Sequence, residues 1–344
     1  MSTKNVNLQT AKNTKNDEFY TTYETIENEI VHYIPHFVGK TVLCNCDDPF
    51  ESNFCKYFLK NFNVLGLHRL ICTSYCPSSV IDKQFSLFDE DEPSCVLDKD
   101  MGYVLDVRRF SSSNEEISDD EVIHFLRMKN VIKKLNGNGD FRSEECIEYL
   151  KECDIVVTNP PFSLFKEFVA DIRKYNKKFL IIGNQNAITY KEIFPLIQNN
   201  EVWTGYRFGE MKFKVPEYSK PKKYRYWVDE NGQKWRSLGN AMWLTNLDND
   251  RRHEFINMTR TYNPTDYPKY DNYDAINVKT IRDIPYDYDG IMGVPITIVN
   301  KYNSEQFEII GEANHGSDNE FDLFKPTING TEIFKRILIR RKHR

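Results

Sequence analysis

No stretch of the 344 residues approaches the roughly 18 consecutive apolar positions of a membrane-spanning helix, and the polar start MSTKNVNLQTAKNTKN lacks the apolar core of a secretory signal. The expectation is a soluble, cytoplasmic protein. Cysteine is missing before Cys44 and after Cys153, and several of the eight between lie in apolar segments. This suits reduced core thiols better than a disulfide framework. Neither Cys44-x-Cys46 nor Cys72-x3-Cys76 is followed by a second pair or a His-x3-5-His, and Asp283, Asp287 and Asp289 fit no calcium loop, so no metal is expected. An excess of positive charge is missing too: the net charge of −5 argues against a uniformly basic nucleic-acid coat.

What is present is local. Eight Lys/Arg fall between Lys212 and Arg236 against three acids, and the last eleven residues, FKRILIRRKHR, carry six Lys/Arg and no acid. Either run can be a solvated face or an anion-binding surface. At 40% hydrophobic, the chain can bury one large domain or a domain with an appendage. Residues 1–16 read as a flexible tail. Thr21 with Glu24 makes a capping box, predicting a helix over about 22–36.

Strands are predicted at 41–46, 69–73 and 178–182, and strand character at 102–107 interrupts an irregular, acidic, serine-rich excursion over 76–120. Helices are predicted at about 50–60, 143–151, after residue 162, and at 190–198. The alternation implies an α/β fold with a mostly parallel sheet covered by helices on both faces. Strands at 202–206 and 241–247 would close it as an antiparallel hairpin around the basic segment 207–238. From about 250 the sequence turns rich in Tyr, Pro, Asp and Asn. Short runs at 296–299, 307–310 and 333–339, the last preceded by Asn329-Gly330, predict hairpins in a smaller α+β unit over 251–344.

The chemistry concentrates in CDIVVTNPPFSLFKEF, residues 153–168. An apolar strand ends in Asn159, Pro160, Pro161 and Phe162 before an amphipathic helix. Each proline fixes its own φ and restricts the residue before it, so Asn159 and Pro160 are held extended with their oxygens aimed outward. The side-chain carbonyl of Asn159 and the backbone carbonyl of Pro160 can accept both N–H groups of a planar amine, favouring pyramidal nitrogen and positive charge as it attacks a methyl group. Phe162 can stack on the base. The plainer alternative is a turn with Phe162 in the core.

NPPF after an apolar strand resembles the catalytic motif of S-adenosylmethionine-dependent amino-methyltransferases. With NDEFYTT (16–22), VLCNCDDP (42–49), SNF (52–54), GDFRS (139–143) and IPYDYDGIMGVP (284–295), the chain resembles EcoRI-type adenine-specific DNA methyltransferases from about residue 16 onward. That resemblance implies a Rossmann-like methyltransferase fold over 17–250, with 251–344 as a target-recognition region. It implies S-adenosylmethionine as cofactor, held by Phe19, Tyr20, Thr21 and Thr22 at its methionine end, by Asn45, Asp47 and Asp48 along the pocket, by Asp140 and Phe141 at its adenine, and by Asn159. The alternatives for these are helix capping by Asp47-Asp48, an ordinary turn at Asp140, and hydrophobic stapling by Phe19 and Tyr20.

The partner implied is double-stranded DNA, with a cognate restriction endonuclease sharing the site without stable contact; a monomer is expected. DNA contacts are assigned to Lys212, Lys214, Lys222, Lys223, Arg225, Trp227 and Arg236, where cations interleave with aromatic rings. The loop after the first core strand, CNCDDPFESNF, has no glycine, unlike that of many methyltransferases, and no acid ends the second strand at Thr73-Ser74. Methylation of RNA adenine or of a protein glutamine, and a non-catalytic DNA-binding role, remain the rival readings.

Overall fold

The structure is a computed structural model that describes residues 20–49, 52–75, 101–109, 117–128, 131–215, 224–313 and 325–342. The expected tail 1–16, Phe19, Lys222 and Lys223 lie outside the described residues. The chain divides into two compact units, residues 1–184 with 209–247, and residues 185–208 with 248–344. The segment 185–208 thus clusters with the second unit, whereas the sequence reading places the division near 250.

In chain order the elements up to residue 158 are β1 (Tyr20–Thr21), α1 (Tyr23–Ile30), α2 (Ile34–Phe37), β2 (Thr41–Asn45), α3 (Asn53–Lys60), β3 (Arg69–Ser74), β4 (Tyr103–Val107), α4 (Asp119–Arg127), β5 (Ile132–Lys134), α5 (Glu144–Glu152) and β6 (Ile155–Thr158). There follow α6 (Phe165–Lys174), β7 (Lys178–Asn184), α7 (Phe194–Gln198), β8 (Trp203–Lys214), β9 (Tyr226–Val228) and β10 (Lys234–Thr245). The main sheet runs β1-β8-β10-β7-β6-β2-β3-β4-β5, with β9 paired to β10. Its centre, β7-β6-β2-β3, is parallel. β10 joins β7 antiparallel on one side, and β4 and β5 join antiparallel on the other.

The central strands read as continuous apolar runs because both sheet faces are covered. Val42, Cys44, Leu70, Cys72, Val157, Leu180 and Trp243 share one core with Ile26 and Ile30 of α1, Phe54 and Phe58 of α3, and Val122 of α4. On the opposite face Gly183 leaves room for the ring of Phe165 from α6; a Cβ at Gly183 would lie 2.6 Å from it. The buried Arg69 guanidinium binds both oxygens of Asp106 at 2.7 and 2.8 Å and Glu152 at 2.5 Å, tying β3 to β4 and α5. The six described cysteines are free thiols, five of them buried; burial pushes Cys44 up to about 11.

Several boundaries differ from expectation for local reasons. Thr22, not Thr21, caps the first helix, accepting from Thr25 N at 3.2 Å, and Tyr20 and Thr21 form β1 instead. Pro35 splits the predicted single helix into α1, a 3-10 turn and α2. Within the presumed irregular excursion, Ser118 and Glu121 form a capping box that starts α4. Much of the basic segment 207–238 is strand, the extended arms of β8 and β10 together with β9.

The second unit holds β11 (Ile276–Asn277), β12 (Met292–Pro295), β13 (Phe307–Ala313), β14 (Thr327–Ile328), β15 (Thr331–Glu332) and β16 (Arg336–Arg341). Four form a sheet ordered β11-β12-β16-β13. Residues 296–299 are 3-10 helix, not strand, with Ile298 and Val299 buried. Asn329 (φ 50°) and Gly330 (φ 72°) make the predicted tight turn between β14 and β15. The basic C-terminal run is mostly β16: Ile337, Leu338 and Ile339 are buried, and Arg340 and Arg341 pair with Glu308 and Asp289.

Candidate active site

β2 lies between β3 and β6, so the chain leaves β2 in one direction across the sheet and returns on its other side. Such a switch point opens a crevice at the carboxyl ends of the two strands, where ligands bind in open α/β sheets. Asn159 and Pro160 leave the end of β6 there. Asn159 is half-buried and Pro160 buried; Pro161 is extended (φ −54°, ψ 124°), and its carbonyl accepts from Leu164 N at 2.9 Å. Phe162 opens a 3-10 turn into α6; it is half-buried and packs against the main core.

The two strand ends are fastened to each other. The Oγ1 of Thr158, the last residue of β6, contacts the carbonyl oxygen of Asn45 and Oδ2 of Asp47. Ser52 Oγ donates to Asp47 Oδ1 at 2.7 Å and accepts from Phe54 N at 3.1 Å as the cap of α3, while Asp47 N donates to Thr73 O at 3.0 Å. Burial is the main force on the Asp47 carboxyl, pushing it up to about 7 against the lowering effect of the Thr158 and Ser52 hydrogen bonds. Asp47 thus spends one oxygen on its own loop and the other on the end of β6. Cys46 takes φ 67°, so the glycine-free loop makes its left-handed turn with a cysteine.

Asn45 Oδ1 and Thr73 Oγ1, at the carboxyl ends of β2 and β3, are buried without hydrogen-bond partners, as is Thr21 Oγ1. Buried polar atoms of this kind point to a donor-bearing ligand or water. Thr21 O accepts from Asn53 Nδ2 at 2.7 Å, which brings the segment 20–22 to the start of α3, immediately after the β2 loop. Asp48 is half-buried, and its carbonyl accepts from Ser52 N.

Asp140 is gripped by Arg142 through Nε at 2.9 Å, Nη2 at 2.6 Å and backbone N at 2.9 Å, which holds its carboxyl below the usual carboxylate range. Those bonds occupy three of its roughly four acceptor positions. Phe141 is buried edge-on against Phe168, 5.1 Å between ring centres. This loop sits on the end of β3: Gly139 has φ 77°, and a Cβ there would lie 1.9 Å from the Ser74 carbonyl oxygen. Gly139→Ala should therefore lower stability by more than the ~1–2 kcal/mol of a left-handed residue alone, read from denaturant midpoints; a cost below that would show the loop free to shift.

On the outer strands Lys212 and Lys214 are exposed between buried Met211, Phe213 and Val215. Lys214 Nζ lies 5.7 Å from the ring centre of Trp235, which stacks on Trp227 at 6.2 Å and 7°. Trp235 Nε1 donates to Asp229 at 2.8 Å. Arg225, at φ 56°, lies against Gly239, and Arg236 is half-buried. The switch point thus gathers Asn45, Asp47, Asp48 and Asn159 to Phe162, with the 20–22 segment fastened to the start of α3 and the 140–141 segment to the end of β3. The described basic residues lie on or beside β8, β9 and β10, with Lys214 in register opposite Tyr20 of β1. The sequence reading gives no role to Thr158 or Thr73 and includes Ser52 and Asn53 only in the SNF motif, although a threonine closing an apolar strand is a visible signal. Among the described residues no cluster of three His, Cys, Asp or Glu is arranged for a metal, and no helix is long and apolar enough to cross a membrane.

Residues 7–342 match the family described as adenine-specific methyltransferase EcoRI. The Escherichia coli type II methyltransferase M.EcoRI is 46% identical over 339 residues, covering 97% of this chain and 96% of the relative. The Mycoplasma genitalium type II methyltransferase M.MgeORF184P is 37% identical over 306 residues, 87% of this chain and 84% of the relative. M.MpnI of Mycoplasma pneumoniae is 36% identical over 307 residues, 87% and 83%. No solved structure matches the chain.

Proposed function

The chain belongs to the EcoRI-type family of adenine-specific methyltransferases, and we propose that it methylates adenine N6 of duplex DNA in the crevice between the ends of β2 and β6. The observation that carries this reading is the placement of Asn159-Pro160 at the switch point, braced through Thr158 against Asn45 and Asp47. Asn159 Oδ1 and Pro160 O accept the two N–H groups of the adenine amine, bias its nitrogen toward pyramidal geometry and stabilise the positive charge that grows on it. Phe162 stacks on the extruded base.

The residues present fit S-adenosylmethionine, which when bound supplies the electrophilic methyl group. Its amino and hydroxyl donors match the buried acceptors at Asn45, Thr73 and Thr21, joined by Asp48. Its carboxylate suits the N–H groups opening α1 beside Tyr20 and Thr22, and the resemblance assigns Phe19 to the same end of the cofactor. Asp140 keeps acceptor capacity for an adenine amine next to Phe141. Asp47 acts through the loop it fastens.

The frame is read as the Rossmann-like catalytic domain of 17–250, with 251–344 recognising the target. Acting on cellular DNA, such an enzyme works in the cytoplasm as a monomer, with a cognate endonuclease sharing its site. Incubation with labelled S-adenosylmethionine and plasmid DNA should yield N6-methyladenine at one recurring sequence; label appearing only in RNA or protein would favour the rival acceptors. The exposed pair Lys212 and Lys214 is assigned to the DNA backbone with Arg225, Trp227, Arg236, Lys222 and Lys223. Lys212→Glu with Lys214→Glu should weaken DNA binding and shallow its log–log salt slope by roughly 0.9 per lost phosphate contact; an unchanged slope would remove these lysines from the interface.

A further inference from the structure

The second unit contains a cavity of about 500 Å³ lined in part by Arg251, Arg282, Lys301, Glu254, Tyr206 and Phe255. That volume lies within the range that encloses a small ligand or one nucleotide unit. Three cations and one acid on the wall give a formal excess of two positive charges.

These cations differ from others of the unit. Arg252, Arg260, Lys269, Lys325, Arg340 and Arg341 each pair with an acid. Arg251, Arg282 and Lys301 have no acid in ion-pair range among the described residues. Arg251 is nonetheless fixed: Nη1 donates to the Tyr206 carbonyl, and its guanidinium lies 5.8 Å from the Tyr206 ring centre. One of its five N–H donors is thereby used, and the planar fork keeps the geometry that suits phosphate. Its neighbour Arg252 is committed elsewhere, 3.5 Å over the Trp203 ring and paired with Asp248. Arg282 and Lys301 are exposed, and Phe255, which lines the same cavity, is 46% exposed.

Clustered cations without acid partners, one pre-positioned guanidinium, two aromatic rings and nucleotide-sized space have a common ligand chemistry. We propose that this cavity takes a backbone phosphate of bound DNA, with the adjoining nucleoside packed against Phe255 and Tyr206, so that it clamps the duplex without reading sequence. The proposal rests on the reading of DNA as substrate. A phosphate contact weakens binding to all sequences alike and flattens the salt dependence, whereas a base contact acts on the cognate sequence alone.

The test uses the full chain with cognate and scrambled duplexes titrated across a salt series. Arg282→Ala with Lys301→Ala should weaken both duplexes by a similar factor, about 10-fold at low salt, and shallow the log–log slope by roughly one. Glu254→Gln should act oppositely, tightening both about two- to five-fold through loss of like-charge repulsion. Thermal midpoints confirm that each variant is folded. An unchanged slope, a loss confined to the cognate duplex, or weaker binding by Glu254→Gln would each overturn the proposal. Failure of wild-type protein to methylate any DNA would instead overturn the reading it rests on, so the two failures are distinguishable.

Discussion

Asn159→Ala should lower the single-turnover rate of methyl transfer to DNA by roughly 10²- to 10³-fold, the usual consequence of removing one group aimed at charge that develops in a transition state. Asn159 supplies one of two acceptors; the other is the Pro160 backbone carbonyl, which no side-chain substitution removes, so the loss is large but not total. Duplex affinity should change far less than rate, because positive charge on the amine grows only as its lone pair is used. Asn159→Asp keeps an acceptor oxygen in place and should retain more activity than the alanine variant. A rate within ten-fold of wild type for Asn159→Ala, or equal losses in the two variants, would show that the crevice between β2 and β6 is not where the amine is activated.

This turn was legible in sequence because its information is local: a buried strand, two φ-restricting prolines and a helix start lie within sixteen residues. The central strands were legible for the same reason, since a doubly covered strand is a short apolar run. What surrounds the turn was not. Thr158 and Asp47 are 111 residues apart and meet only because β6 inserts beside β2. Local pattern carries no term for strand order. The Lys212-Phe213-Lys214 alternation was read as part of a basic insertion because its charges outweighed its period of two, although Phe213 is fully buried. At 296–299 β-branched residues suggested a strand, and tertiary packing made a 3-10 turn instead.

The bracing network yields the second large effect, set by counting protons. Thr158 has one hydroxyl proton and two acceptors beside it, the Asn45 carbonyl and Asp47 Oδ2. If Asp47 is ionised, one acceptor goes without a donor. If Asp47 is protonated, its hydroxyl donates to Thr158, Thr158 donates to Asn45, and Ser52 donates to the other Asp47 oxygen, leaving every position filled. The elevated value of about 7 agrees with that arrangement.

Because this lies above the ~3.9 of an exposed aspartate, the folded protein holds a proton that the unfolded chain releases. The resulting stabilisation is complete below about pH 4 and is lost as pH rises through about 7, an effect on the order of a few kcal/mol. Asp47→Asn fixes the protonated pattern permanently, its amide donating to Thr158 and its carbonyl accepting from Ser52. This variant should match wild type near pH 4, exceed it increasingly up to pH 8 and lose Asp47's share of the pH dependence. Asp47→Ala, which leaves Ser52 without its acceptor and Thr158 without its donor, should be less stable by about 1–3 kcal/mol at pH 4, where the wild-type stabilisation is complete. Urea midpoints across this pH range decide the matter: if Asp47→Asn keeps the wild-type slope and is the weaker protein at pH 8, the carboxyl is ionised in the fold and the loop is held by charge rather than by a shared proton.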